Sequence, residues 1–303
     1  MRPLLIAVAI YAVTMSSAIA QTMGASMAYF DDNFLTILRE AMSARAEETG
    51  ADIQFEDAQG DVGKQLSQLQ NFIAQGVDAI VMNPVDTAAT PRMTKLATEA
   101  GIPLVYVNRQ PEEELPEGVV YVGSDENVSG KLQGDEIARL LNNKGKVVIM
   151  MGELATNAAT MRTEGIEKVV VEHPDMEIVE RQTANWQRNE AIDLMNNWLV
   201  SGMEMDAVAA NNDEMAIGAI IALQQAGRDP KELVIAGVDA TPDGLYEVQR
   251  GNLDATVFQD GRAQGAAVVD SALKLINGEP VETYVMVPFQ LVTPDNYKDF
   301  LDK

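Results

Sequence analysis

Three carboxylates are the groups best placed for acid–base work in this chain: the adjacent pair Asp31 and Asp32 in AYFDDNF, and Asp239 in GVDATPDG. Two carboxyls flanking a glycosidic bond would permit hydrolysis, one as acid and one as base or nucleophile. Adjacent residues on one loop seldom face a bond from both sides. Asp32 also stands where it would cap a helix beginning at Asn33, so capping or hydrogen bonding to a ligand is the stronger reading. Other chemistry is scarce. The single histidine, His173, precedes Pro174, which ends the helix before it and leaves the imidazole at a helix C-terminus in solvent. There is no cysteine, which removes thiolate nucleophiles and zinc-thiolate sites. Neither an EF-hand spacing nor a phosphate-binding GxxxxGK[ST] loop is present, and no cofactor is expected.

Aromatic residues make up 5% of the chain, so two that lie beside polar residues near strand ends stand out: Phe34 and Trp186. Flat aromatic faces cover the C–H patches of a sugar or cyclitol, while Asn, Asp, Gln and Arg pair with vicinal hydroxyls around its rim. The competing reading for both aromatics is ordinary core packing.

The elements that must position these groups alternate strictly. Strands are expected at Met23–Phe30, Ala51–Ala58, Asp78–Asn83, Pro103–Asn108 and Val119–Gly123. A second series is expected at Lys146–Gly152, Glu177–Ala184, Asp206–Asn212, Leu233–Asp239 and Ala255–Gln259. Amphipathic stretches ending in Gly lie between them, NFLTILREAMSARAEETG and DEMAIGAIIALQQAG among them. This is the pattern of an α/β protein with parallel sheets and crossover helices. The halves repeat loosely: VDAIVMN (77–83) matches MDAVAAN (205–211), each followed by a helix and a strand that ends on Asn or Asp. Ligands bind at the carboxyl ends of such strands, so the polar ends should line a shared cleft. QPEEELPEG (110–118) reads as a solvated loop.

At 303 residues the chain exceeds the size at which one core stops growing, and two domains are expected. MRPLLIAVAIYAVTMSSAIA reads as a signal peptide over 1–20, cleaved before Gln21, with export to an oxidising compartment. A net charge of −24 argues against nucleic acid and anionic lipid as partners.

Together, NPVDT (83–87), VNRQP (107–111), GSDENVSG (123–130), NNDEMAIGA (211–219), GVDATPDG (237–244) and FQD (258–260) resemble the ribose-type periplasmic sugar-binding proteins of ABC importers. AYFDDNF and QTANW resemble most the inositol and rhizopine branch. The resemblance implies the type I periplasmic binding protein fold, two Rossmann-like lobes with a ligand cleft between them. It also implies an N-terminal lobe of 21–124 plus 260–288 and a C-terminal lobe of 125–259 plus 289–303. Carried over residue by residue, the ligand groups would be Asp32, Phe34, Asn108, Arg109, Arg162, Trp186, Asn212, Asp239 and Gln259. Asp32 stands where ribose binders carry Asn, Asn108 where they carry Asp, Leu35 where they carry a second Phe, and Trp186 where they carry Phe. These departures point from ribose to an inositol or amino-inositol, with a hexose as the competing ligand. The implied protein is a monomer that delivers its solute to an ABC transporter permease. A chemotaxis or sensor-kinase receptor is the alternative role for the same fold.

Overall fold

The computed structural model describes residues 20–303; all but the last residue of the expected signal peptide lies outside them. The chain runs β1 (Thr22–Met27), α1 (Asn33–Thr49), β2 (Asp52–Asp57), α2 (Val62–Gln75), β3 (Ala79–Met82), α3 (Thr90–Ala100), β4 (Leu104–Val107) and β5 (Val119–Gly123). It continues with α4 (Glu126–Leu140), β6 (Lys144–Met151), α5 (Asn157–Glu172), β7 (Asp175–Thr183) and α6 (Arg188–Val200). Next come β8 (Ala207–Ala210), α7 (Asp213–Gln225), β9 (Val234–Ala236), α8 (Pro242–Arg250) and β10 (Thr256–Phe258). Last are α9 (Gly261–Ile276), β11 (Tyr284–Met286) and β12 (Gln290–Val292).

These elements form two parallel sheets, one per lobe. The first has the order β2-β1-β3-β4-β5-β11, the second β7-β6-β8-β9. Single bridges attach β10 beside β9 in parallel, and β12 pairs antiparallel with β10. All ten expected strands are present, but most are shorter. The first stops at Met27 because residues 28–31 turn away toward Asp32, whose carboxylate accepts the Leu35 amide at 2.8 Å and starts α1. The two short late strands, β11 and β12, carry little periodic signal and were not expected from sequence.

Continuous apolar runs make strands buried on both faces, as in β3, β4, β5 and β8, where every residue is buried. Although α9 follows the second lobe in sequence, Val268, Val269 and Ala272 place it in the core of the first. In both sheets β1 and β6 sit where strand order reverses, and the chain leaves them toward opposite sides. That arrangement opens a crevice at the carboxyl ends.

The repeated asparagines serve the scaffold. The Asn83 side-chain oxygen accepts the Ala28 amide just past β1 at 3.3 Å, and the Asn211 side-chain oxygen accepts the Gly152 amide just past β6 at 3.1 Å. Both are fully buried. They tie strand ends together behind the cleft, a correction to the expectation that every polar strand end would line it. The 110–118 loop also departs from a purely solvated one, since Glu113 accepts the hydroxyls of Thr90 at 2.7 Å and Thr94 at 2.9 Å. His173 is the residue that ends α5, and it is partly buried.

Candidate ligand-binding cleft

The carboxyl ends of both sheets converge on one cavity. It is lined by Asp32, Phe34, Asn108, Arg109, Arg162, Trp186, Asn212, Asp239 and Gln259, together with Leu35 and Ala158. Atom-free space of about 380 Å³ lies among these residues, part of it open to solvent. Thus all nine residues singled out from sequence share one cavity. Phe34 and Trp186 do both jobs weighed for them: each lines the cavity and each belongs to a hydrophobic core.

Backbone strain gathers here. Asn108, Trp186 and Asp239 have φ of 64°, 64° and 115°, values that cost free energy for residues other than glycine and collect at functional sites. Each follows a strand directly or within three residues, so the strain turns these side chains into the crevice. Trp186 can lie flat there because Gly152 has no side chain: a Cβ at that position would collide with the indole.

Arg162, from α5, is the centre of the second-lobe wall. Its Nε donates to Glu126 Oε2 at 2.6 Å, its Nη1 to the Asn211 carbonyl at 2.6 Å, and its Nη2 to Gln259 Oε1 at 3.2 Å. The Asp239 carboxylate lies 3.5 Å from Nη1. Burial opposes the charge on this guanidinium, but the Glu126 and Asp239 carboxylates outweigh it and raise its pKa. Arg109 is held on the first-lobe side, its Nη1 donating to the Pro84 and Val85 carbonyls at 3.0 and 3.2 Å.

Burial raises the Asp239 carboxyl well above its ordinary range although Arg162 pulls it down, and Asp213 and Asp32 add to the rise. Burial also raises Asp32, against the pull of the Leu35 amide and Arg109. Beneath Asp239, burial pushes Asp213 up to about 7 despite hydrogen bonds from Thr256 and Thr241. The cavity wall thus sets two buried carboxylates, Asp32 and Asp239, beside two guanidiniums, Arg109 and Arg162, and among the described residues Asp32 takes part in no ion pair. Donors without acceptors are present as well: Trp186 Nε1 and Gln259 Nε2 are buried and have no hydrogen-bond partner among the described residues. Such orphans cost free energy that a bound polar group would recover.

Sequence reasoning missed Glu126 and Asp213, which lie within the quoted motifs GSDENVSG and NNDEMAIGA. Their signal would have been a carboxylate at the start of a helix that follows a strand. Among the described residues no group of three or more His, Cys, Asp or Glu is arranged to hold a metal ion.

Two lobes with parallel sheets and a polar, aromatic-walled cleft at their carboxyl ends define a solute-binding protein of the hinged, two-lobed kind. The chain belongs to the periplasmic binding protein family, whose domain model matches residues 23–280. It is 53% identical over 308 residues to a protein of Rhizobium meliloti named for rhizopine binding, covering 100% of both chains. It is 32% identical over 287 residues to the ribose import binding protein of Escherichia coli (strain K12), covering 94% of this chain and 95% of that one. Among solved structures, an ABC transporter solute-binding protein from Bacillus halodurans with bound myo-inositol is 43% identical, with a TM-score of 0.89 over 95% of this chain and 99% of that one. The family binds solutes rather than transforming them, and this chain is accordingly a binding protein and not an enzyme.

Proposed function

We propose that the cleft captures one inositol or amino-inositol and that the closed protein presents it to the membrane permease of an ABC importer. The observation that carries this reading is the convergence of polar groups on one cavity: Trp186 Nε1 and Gln259 Nε2, which are buried without a hydrogen-bond partner among the described residues, and the Asp32 carboxylate, which accepts the Leu35 amide. A ring bearing hydroxyls on every carbon supplies both acceptors and donors to such a wall, and an ammonium substituent would supply Asp32 with a cation. The myo-inositol in the Bacillus halodurans relative supports a cyclitol, as does the name of the Rhizobium meliloti relative.

On this reading the mature chain begins at Gln21 and works as a monomer in the periplasm. Its lobes comprise 21–124 plus 260–288 and 125–259 plus 289–303. The switch of α9 back to the first lobe and the separation of β11 from β12 support those boundaries. The test is thermal unfolding against pentoses, hexoses, inositols and amino-inositols, because a ligand that binds only the folded state raises the midpoint. A selective rise with cyclitols is expected; a rise with ribose or glucose alone would replace the ligand and keep the role.

A further inference from the structure

Residues 153–157, which run from the end of β6 into the first residue of α5 in the second lobe, reach across to the first lobe and do not themselves line the cavity. Glu153 Oε1 accepts the Tyr29 hydroxyl at 2.6 Å, and its Oε2 lies 3.3 Å from Arg109 Nη2. The Ala155 carbonyl accepts the Thr87 amide at 3.0 Å, and Asn157 Nδ2 donates to the Gln110 carbonyl at 2.7 Å. Four first-lobe residues from three separate stretches of sequence, Tyr29, Thr87 and the adjacent Arg109 and Gln110, are thereby held by Glu153, Ala155 and Asn157 of the other lobe.

We infer that the 153–157 loop is a clasp, with Glu153 its principal residue, that holds the lobes shut over the ligand and sets affinity through residence time without touching the ligand. The inference rests on the reading of the cavity as a solute site. Two features make the clasp more than surface contact. The side chains of Arg109 and Glu153 are 7% and 16% exposed, so their pairing is screened less than a surface ion pair. Arg109 is also shared: its Nη1 is spent on first-lobe carbonyls, its Nη2 on Glu153, and its guanidinium lines the cavity. Glu153 is thus a positioning residue for a cavity-wall cation, and opening the lobes releases both at once. A group that favours the closed state raises apparent affinity in proportion to the closed fraction.

The experiment uses the full mature chain and two variants, Glu153→Gln and Tyr29→Phe. Association and dissociation rates for myo-inositol, or for whichever panel member binds the wild type, are followed by stopped-flow tryptophan fluorescence, alongside the ligand-free thermal midpoint. The expected result is dissociation faster by about tenfold, association within about threefold, an unchanged ranking of ligands, and a ligand-free midpoint within about two degrees of wild type. Unchanged dissociation in both variants, with wild type binding normally, overturns the clasp and leaves the solute site standing. Loss of binding that tracks a lowered midpoint in both variants also overturns it, in favour of a structural role. A wild type that binds nothing in the panel overturns the solute reading and the clasp with it.

Discussion

Arg162 and Glu126 meet side on, Nε to Oε2 at 2.6 Å and Nη2 to Oε1 at 3.2 Å, on neighbouring helices α5 and α4. Their side chains are 4% and 2% exposed. A bidentate pair fixes the plane of the guanidinium. Because two of its edges are spent on Glu126 and the Asn211 carbonyl, the remaining edge can only face Asp239 and Gln259. Orientation rather than stability is what such a buried pair supplies, since desolvation consumes most of the attraction.

Removing the carboxylate should therefore be costly in two ways. Glu126→Ala leaves a buried guanidinium uncompensated, and a loss of about 3–5 kcal/mol in folding stability is expected by urea denaturation. Glu126→Gln keeps a hydrogen-bond acceptor and should retain the fold while weakening ligand binding about tenfold by calorimetry. Unaltered affinity in Glu126→Gln would show that Arg162 orients itself without its partner.

Trp186 provides its own probe. The chain has two tryptophans, and Trp198 lies in the core of the second lobe, so ligand-dependent emission should come from Trp186. Trp186→Phe is expected to abolish the fluorescence change and weaken binding about 5- to 20-fold, the loss of one buried donor and some stacking area. Gly152→Ala, whose added methyl would strike the indole, should weaken binding at least as much although it touches no ligand. Normal affinity in Gly152→Ala would mean the indole has another resting place.

Much of this was legible from the sequence because the groups concerned sit at strand ends. Asn108 and Asp239 stand just past apolar strands and Asp32 precedes a helix, positions that local pattern sets, whereas Arg109, Arg162, Asn212 and Gln259 came from the family resemblance. The partners behind them were not legible. Glu126 and Asp213 act through tertiary contacts, helix on helix and helix on strand, that join residues 36 positions apart (Arg162 to Glu126) and 43 apart (Thr256 to Asp213), and no local period encodes such pairings. Glu153 escaped for the same reason, as its partners Tyr29 and Arg109 belong to the other lobe. The repeated Asn83 and Asn211 misled in a different way: the repeat is real, but it marks a shared scaffold hydrogen bond, and the cavity residue is the following Asn212.

Stability should carry a pH signature from Asp213, which burial pushes up to about 7. An unfolded Asp titrates near 3.9, so between about pH 4 and 7 the folded state keeps a proton that the unfolded chain has lost. Folding free energy should thus decline as pH rises through that window and level off above it, and the raised Asp239 and Asp32 act with the same sign. Asp213→Asn, although less stable throughout, should show a flatter profile, by at least about 1 kcal/mol between pH 5 and 8. Parallel profiles in urea denaturation would assign the slope to other groups.

Asp32 decides between a neutral and a cationic ring. Its Oδ1 accepts the Leu35 amide at 2.8 Å, its carboxyl takes part in no ion pair among the described residues, and burial raises its pKa. An ammonium placed against it would relieve that burial and form a charge-assisted bond worth about 1.5–3 kcal/mol, whereas a hydroxyl would gain about 0.5–1.5. Asparagine caps helices as well as aspartate does, so Asp32→Asn should leave α1 and the thermal midpoint intact. In that variant, an amino-inositol is expected to lose about 10- to 100-fold in affinity and the matching inositol only a few-fold, measured side by side by calorimetry. Lowering the pH toward the raised Asp32 value should weaken wild-type binding of the amine and leave the variant's unchanged, because protonation removes the charge that the substitution has already removed. Equal losses for both ligands would reassign Asp32 to the reading of a hydroxyl, and the preference for a cyclitol would then rest on Trp186 and Gln259 alone.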